Sequence, residues 1–83
     1  MDVVRGQAVI SLTGRDKGRY LAVMEQDESF VYVADGGLRP VAKPKKKNQK
    51  HISVTGRVFD SEVLENDRLL RKAIKDAFGG YRR

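Results

Sequence analysis

Short apolar runs alternate with polar turns through the first two-thirds of the chain. Their length and their β-branched and aromatic residues are typical of strands, and the last run alternates apolar and polar positions with a period of two. The four runs are residues 8–13, 20–24, 29–34 and 52–56. The polar segment 26–28 predicts a hairpin, and Asp35 followed by two glycines favours a chain reversal. Strands this short, separated by tight turns, predict a small closed or half-closed barrel.

The pattern changes near the C-terminus, where apolar residues recur with the spacing of one helix face. They are Leu69, Leu70, Ala73, Ile74, Ala77 and Phe78. Asn66 suits the N-cap, Asp67 favours the positive end of the helix dipole, and Gly79 suits the left-handed position after the helix. We therefore predict a helix over 66–78, with a start at Ser61 as the alternative. Its apolar face is expected to pack on the barrel; the alternative is docking of a protein partner.

Length and charge narrow the classes of partner. Eighty-three residues make one small domain, which we divide into a barrel at 1–58 and a helical extension at 59–83 that ends in a loose tail. The net charge is +6, of which +5 lies before residue 58. This clustered excess favours a polyanionic partner, although a basic charge that only maintains solubility is the alternative. The absence of cysteine excludes disulfides and thiolate metal sites. We expect a cytoplasmic protein without a membrane span.

The most informative segment is the turn at 14–19, between the first two predicted strands. Its two glycines permit a sharp bend, and three cations at two-residue intervals would point the same way and follow successive phosphates. These cations are Arg15, Lys17 and Arg19. Tyr20 adjoins the turn and is the aromatic residue best placed to stack on a base, whereas the other strand aromatics are expected in the core. The alternative is an ordinary solvated turn.

A second basic segment runs from 43 to 50, with Arg39 just ahead of it. Its cations are Lys43, Lys45, Lys46, Lys47 and Lys50. Because these lysines repel one another and Pro44 stiffens the start, we expect a loop that is mobile when free and ordered on RNA. A disordered linker is the alternative, and a nuclear-localisation signal has the same composition. His51, the lone histidine, is expected either beside RNA or packed at the start of the last strand.

No set of residues suggests catalysis. His51 has neither clustered ligands nor a neighbouring nucleophile, and the serines and threonines lack an activating base. The chain also lacks a phosphate-cradling loop of nucleotide-binding length. We therefore expect a protein that is not an enzyme and that uses neither a cofactor nor a metal.

Residues 5–36 resemble the KOW motif, an RNA-binding β-hairpin element of several large-subunit ribosomal proteins and of transcription elongation factors. The matching segments are 6–7, 9–12, 14–19, 21–24 and 31–36. The basic segment running into His51 and the last strand is similar to eukaryotic- and archaeal-type ribosomal proteins with an SH3-like barrel. The helical tail has counterparts in small bacterial KOW proteins. The resemblance covers more than a third of the chain, and the turn is its most specific part.

This resemblance implies an SH3-like KOW barrel with a C-terminal α-helix, whose loops contact ribosomal RNA. By position, the RNA-facing turn carries Arg15, Lys17 and Arg19 and is shaped by Gly14 and Gly18. Asp16 occupies the family's acidic or small position, where it would brace the loop by accepting hydrogen bonds from backbone N–H groups. Elongation factors of the family are mostly longer chains with a separate polymerase-binding domain, which makes a transcription role the weaker alternative.

We therefore expect an RNA-binding protein whose partner is structured ribosomal RNA of the large subunit. Affinity would come from phosphate contacts and counterion release, and specificity from RNA shape. The free protein is expected to be monomeric, with contact to ribosomal proteins through the C-terminal helix as a further expectation. The main alternative is a protein-interaction module of the SH3-like type, whose binding would respond little to salt.

Overall fold

A computed structural model describes residues 3–79 of the chain. Five strands are followed by one α-helix. The strands are β1 (Gln7–Ser11), β2 (Tyr20–Gln26), β3 (Phe30–Ala34), β4 (Lys45–Asn48) and β5 (Ile52–Val58), and the helix is α1 (Asp67–Phe78). Two 3₁₀ turns, Gln49–His51 and Val63–Glu65, connect β4 to β5 and β5 to α1. The predicted tail at 81–83 lies outside the described residues. No helix within 3–79 is long and apolar enough to cross a membrane.

The strands form one antiparallel sheet in the order β4-β3-β2-β1-β5. The predicted hairpin between β2 and β3 is confirmed, with Val23 opposite Val33. Within the described residues β4 and β5 pair only with β3 and β1, so no backbone ladder closes the sheet. The prediction of a mainly β domain with a C-terminal helix is therefore confirmed at the level of an open five-stranded sheet.

The sheet buries apolar side chains on both of its faces, in two separate clusters. One face carries a valine-rich cluster: Val3, Val9, Leu21, Val23, Val31, Val33 and Ile52. The other face carries a row of three alanines in register, Ala8 opposite Ala22 and Ala22 opposite Ala34. All three are fully buried and belong to the cluster that includes Leu70 and Ile74 of α1. The small alanine side chains let the helix approach the sheet closely.

Helix α1 has the ends that the sequence predicts. The Asn66 side chain accepts a hydrogen bond from the Leu69 N–H at 3.0 Å, and Gly79 has a left-handed φ of 74°. The start at Ser61 is wrong, because a separate 3₁₀ turn occupies Val63–Glu65. The apolar face packs on the sheet, since Leu70 and Ile74 are buried there. Close packing of the first helical turn on the sheet's end requires glycine at position 36, where a Cβ would overlap the Asp67 carbonyl oxygen.

The sequence did not predict β4. The segment 43–50 was expected to be a mobile loop, but Lys45–Asn48 pairs with β3, with Lys46 opposite Tyr32 and Lys47 opposite Val31. Strand β3 offers an unpaired row of backbone groups on that side, and pairing satisfies them whatever the side chains of β4 are. Lysines on the resulting edge strand also discourage edge-to-edge association with other chains. The basic segment is therefore an ordered edge strand followed by a 3₁₀ turn.

Candidate nucleic-acid interface

The turn between β1 and β2 is held in one conformation by its backbone. Gly14 and Gly18 have φ values of 81° and 86°, a region that residues with a Cβ rarely adopt. The Gly18 N–H donates to the Ser11 carbonyl at 2.8 Å, and the Arg19 N–H donates to the Asp16 carbonyl at 2.9 Å. The Ser11 N–H in turn donates to the Arg19 carbonyl at 3.0 Å. Both glycines therefore stand at positions where the backbone of the turn has a positive φ.

Asp16 lies at the centre of this turn with only 1% of its surface exposed. Its Oδ1 accepts hydrogen bonds from the Ser11 hydroxyl at 2.8 Å and from Lys47 Nζ at 3.2 Å. Lys47 Nζ also donates to the Thr13 carbonyl at 2.9 Å. The Asp16 carboxylate therefore ties the turn to β4 through side-chain hydrogen bonds, whereas the sequence led us to expect hydrogen bonds from backbone N–H groups.

The environment of Asp16 keeps its carboxyl group ionised. Burial raises its pKa, but the hydrogen bonds from Ser11 and Lys47 and the positive charges of Lys47 and Arg39 together outweigh burial and hold the pKa below its ordinary value. The turn thus contains a buried anion that is matched by a buried cation.

Two crossed ion pairs join the turn to the loop that follows β3. Arg39 Nε lies 3.7 Å from Asp16 Oδ2, and Arg19 Nη1 lies 3.8 Å from Asp35 Oδ2. Asp35 is 3% exposed, and its Oδ1 accepts hydrogen bonds from the N–H groups of Gly37 at 2.8 Å and Arg39 at 2.9 Å. Each segment therefore supplies one buried carboxylate and one guanidinium group. The two ion pairs therefore connect the turn to the loop after β3 in both directions.

Lys47 is not part of the exposed basic surface. It was predicted to contact RNA, but only 7% of its surface is exposed and its ammonium group is bonded inside the protein. The reason is the pleat of β4: Lys47 shares its face with its partner Val31, whereas Lys46 points to the opposite face. We therefore remove Lys47 from the set of candidate RNA contacts.

The other predicted cations remain accessible. Arg15, Lys17, Lys43, Lys45, Lys46, Lys50 and His51 are exposed. Arg19 and Arg39 are partly buried in the crossed ion pairs, with 28% and 24% of their side chains exposed. The Leu12 N–H donates to the His51 carbonyl at 2.9 Å, which places the 3₁₀ turn beside the start of the basic turn. Turn 14–19, strand β4 and the 3₁₀ turn are thus linked by direct contacts.

The aromatic residues are mostly engaged within the fold. Tyr20 stacks on Phe78 of α1 with ring centroids 4.0 Å apart, so one face of the ring predicted to stack on a base is covered. Phe59 is buried, as expected for a core residue. Phe30 is partly exposed on the face that carries Lys46, whose Nζ lies 4.2 Å from the ring centroid. Tyr32 donates its hydroxyl hydrogen to Asp27 at 3.0 Å.

Sequence reasoning missed Ser11 and Asp35, whose side chains complete the buried network. Ser11 is the last residue of β1 and Asp35 follows β3, so neither position has a local pattern that distinguishes it from a solvated turn residue. The signal that was available is charge, and it applies to position 16 only, where one acidic residue lies among Arg15, Lys17 and Arg19.

The chemistry available at this surface is electrostatic binding. Within residues 3–79 no group of three or more His, Asp or Glu side chains is arranged to hold a metal ion. No protein-family model matches the chain, and no curated protein matches it.

Proposed function

We propose that the protein binds RNA without catalysing a reaction, and that its partner is structured ribosomal RNA of the large subunit. The observation that carries the proposal is the separation of charges at the turn. The acidic side chains Asp16 and Asp35 are buried and matched by cations, whereas Arg15 and Lys17 are exposed. An approaching polyanion therefore meets positive charge without an exposed carboxylate in the turn.

The topology supports the finer proposal of an SH3-like KOW barrel. The two edge strands, β4 and β5, are joined by only three residues, Gln49–His51. The Lys47 side chain bridges from the edge strand β4 to the turn between β1 and β2, so contacts between distant strands supplement the backbone ladder. The sequence match of the turn at 14–19 to the KOW pattern is the other support for this proposal.

In this proposal, the exposed cations bind phosphate groups. Arg15 can donate two parallel hydrogen bonds to phosphate oxygens, and lysines act as point charges. Because the turn is already ordered by its hydrogen bonds and ion pairs, little conformational entropy is lost there on binding. RNA shape, rather than base identity, would supply specificity, with the protein in the cytoplasm and monomeric when free.

The test is a binding titration against folded large-subunit ribosomal RNA across a salt series. Two double variants remove two exposed cations each: Arg15→Gln with Lys17→Gln, and Lys45→Gln with Lys46→Gln. Each phosphate contact contributes roughly 0.7 to 0.9 to the slope of log K against log salt, so each double variant should lower the slope by about 1.5. Lys47 is left unchanged because it is buried.

The matched control is Arg5→Gln with Arg57→Gln, which removes the same charge. Both residues are exposed and lie towards the other end of β1 from the turn, since Gly6 precedes β1 and Val58 pairs with Gln7. The control should keep the wild-type slope. If the wild-type protein does not bind the RNA, or if both turn and β4 variants bind like the control, the proposal is wrong.

A protein-interaction module is the second candidate, and the fold weakens its main support. Most of the apolar face of α1, which the sequence left open for a partner, packs on the core, although Leu69 remains 46% exposed. A protein partner, including a ribosomal protein, would therefore find little apolar helix surface besides Leu69. Binding to an isolated protein partner that is unchanged by salt would favour this candidate.

A further inference from the structure

The outward face of α1 is basic. Four cations repeat at i, i+3, i+4 and i+7, the spacing of one helix face. This basic stripe comprises Arg68, Arg71, Lys72 and Lys75, and all four residues are exposed. The sequence counts gave a nearly neutral C-terminal third, because the acidic residues of that third lie mostly in the segment before the helix. Because folding places the cations on the helix and most of the acidic residues outside it, the net charge of this third did not reveal the stripe.

The acidic residues of α1 do not neutralise the stripe. The Asp67 carboxylate accepts a hydrogen bond at 2.7 Å from the N–H of Val41, which lies in the loop between β3 and β4. Asp76 pairs with Lys72 at 3.0 Å, an exposed contact that is weak in water. Within residues 3–79, Arg68 and Lys75 have no acidic partner. The stripe therefore keeps an excess of positive charge.

The arrangement of charges is unfavourable for an isolated helix. Arg68 and Lys72 are four residues apart, as are Arg71 and Lys75, and like charges at this spacing destabilise a helix. A helix surface that serves only solubility can place opposite charges at these positions instead. A polyanion bound along the stripe relieves this repulsion, which makes the pattern informative about the ligand.

Both ends of α1 contact the neighbourhood of the basic turn. Arg71 Nη1 donates to the Gly36 carbonyl at 2.9 Å, and Gly36 follows Asp35, the partner of Arg19. At the other end Phe78 stacks on Tyr20, the residue after Arg19. The stripe spans about 10 Å along the helix axis, from a rise of 1.5 Å per residue. Through Arg71, the stripe therefore contacts the loop that is ion-paired to the turn.

We propose that the basic stripe of α1 is a second phosphate-binding surface, which contacts the backbone of the same RNA that the turn binds. This inference rests on the proposed function and adds a site to it. The turn and the stripe together offer two adjoining rows of cations, an arrangement that suits a folded RNA in which backbone segments lie close together rather than one extended strand.

The test variant is Arg68→Gln with Lys75→Gln, which removes the two cations without acidic partners. Glutamine has nearly the helix propensity of arginine and lysine, so α1 should remain folded. Arg71 and Lys72 are kept because they bond to Gly36 and Asp76. Titration against folded large-subunit ribosomal RNA should show a salt slope lower by about 1.5 and roughly tenfold weaker binding near 0.15 M salt.

Stability and affinity should move in different directions, which a merely structural role would not produce. The variant removes one member of each like-charge pair, so the melting temperature of the free protein should stay the same or rise. A second variant, Arg68→Lys with Lys75→Arg, keeps both charges and should bind like the wild type. Equal losses in the glutamine variant and the charge-keeping variant would contradict a phosphate-binding role.

The outcomes separate this inference from the proposed function. If the turn variant loses affinity while the glutamine variant of the stripe binds like the Arg5→Gln, Arg57→Gln control, the stripe is not a contact surface and the proposed function stands. If the wild-type protein does not bind the RNA, both proposals fail. A reduced salt slope in both the turn variant and the stripe variant supports two surfaces.

Discussion

Replacing Lys47 with methionine should destabilise the protein strongly, although the residue belongs to a run of lysines on an edge strand. Its ammonium group bonds to the Asp16 carboxylate at 3.2 Å and to the Thr13 carbonyl at 2.9 Å. Methionine fills a similar volume but leaves Asp16 as a buried anion with one cationic partner fewer. It also leaves the Thr13 carbonyl without this donor.

The magnitude follows from the surroundings of Asp16. Breaking a buried ion pair by removing one partner costs about 3 to 5 kcal/mol. Asp16 keeps the hydrogen bond from Ser11 and has Arg39 Nε at 3.7 Å, so the lower end of that range, about 3 kcal/mol, is expected. A chain of this size has a free energy of unfolding of roughly 4 to 12 kcal/mol. The melting temperature should therefore fall by about 12 to 24 °C.

The assay is urea unfolding followed by circular dichroism, with Lys46→Met as the matched control. Lys46 is the adjacent lysine, but it is exposed and its Nζ lies over the Phe30 ring, so its replacement should cost less than about 1 kcal/mol. The double variant Asp16→Asn, Lys47→Met also removes the buried carboxylate that Lys47→Met leaves without this cationic partner. It should be more stable than Lys47→Met alone, with a coupling energy of about 2 kcal/mol.

The result that would refute this reasoning is a similar loss for the two lysines. If Lys47→Met and Lys46→Met each cost less than about 1 kcal/mol, Lys47 does not stabilise the buried carboxylate in solution. The reasoning would also be refuted if the change in unfolding free energy of the double variant equalled the sum of the changes in the two single variants, because residues that do not interact show no coupling energy.

Three further predictions concern the turn, the helix and its contact with the sheet. Gly36→Ala should lower the free energy of unfolding by more than about 2 kcal/mol in urea, because φ at Gly36 is 79° and a Cβ would overlap the helix backbone. The control is Gly56→Ala, which has open space around it and should be neutral or stabilising by up to about 1 kcal/mol. Asn66→Ala removes the N-cap acceptor and should cost about 1 kcal/mol, and an unchanged unfolding midpoint would contradict the cap. The lowered pKa of Asp16 contributes stability that is present above the ordinary pKa of a carboxyl group and is lost as the pH falls through the pKa of the folded state. Asp16→Asn should therefore flatten the dependence of unfolding free energy on pH below about pH 4. An unchanged pH dependence in this variant would contradict the stabilising role of the ionised carboxylate.

The parts of the fold that sequence analysis predicted depend on local signals. The turn at 14–19, the β2–β3 hairpin and the ends of α1 are each specified by glycines, polar turn residues or caps within a few positions of one another. The apolar periodicity of α1 likewise identified the face that packs on the sheet. These features do not require knowledge of distant segments.

The features that escaped prediction depend on contacts between distant segments. Strand β4 has a composition typical of a loop, and only the free edge of β3 makes it a strand. The burial of Lys47 requires Asp16, which lies 31 residues earlier in the chain. A run of lysines gives no indication of which member meets a buried carboxylate, because the pleat and the register decide it. The basic stripe of α1 escaped prediction for a related reason. The net charge of a segment does not show whether its cations and its acidic residues lie on the same surface after folding.

The alanine row on β1, β2 and β3 has a consequence for how the protein can vary. These three alanines share a buried cluster with Leu70 and Ile74 of α1, so the distance from the turn to the basic stripe depends in part on side chains inside the core. Replacing one of them with valine or leucine would push α1 outward and change the spacing of the two cationic surfaces. The surface charges can be exchanged one at a time at little cost to the fold, whereas their relative positions depend on the smallest side chains in the core.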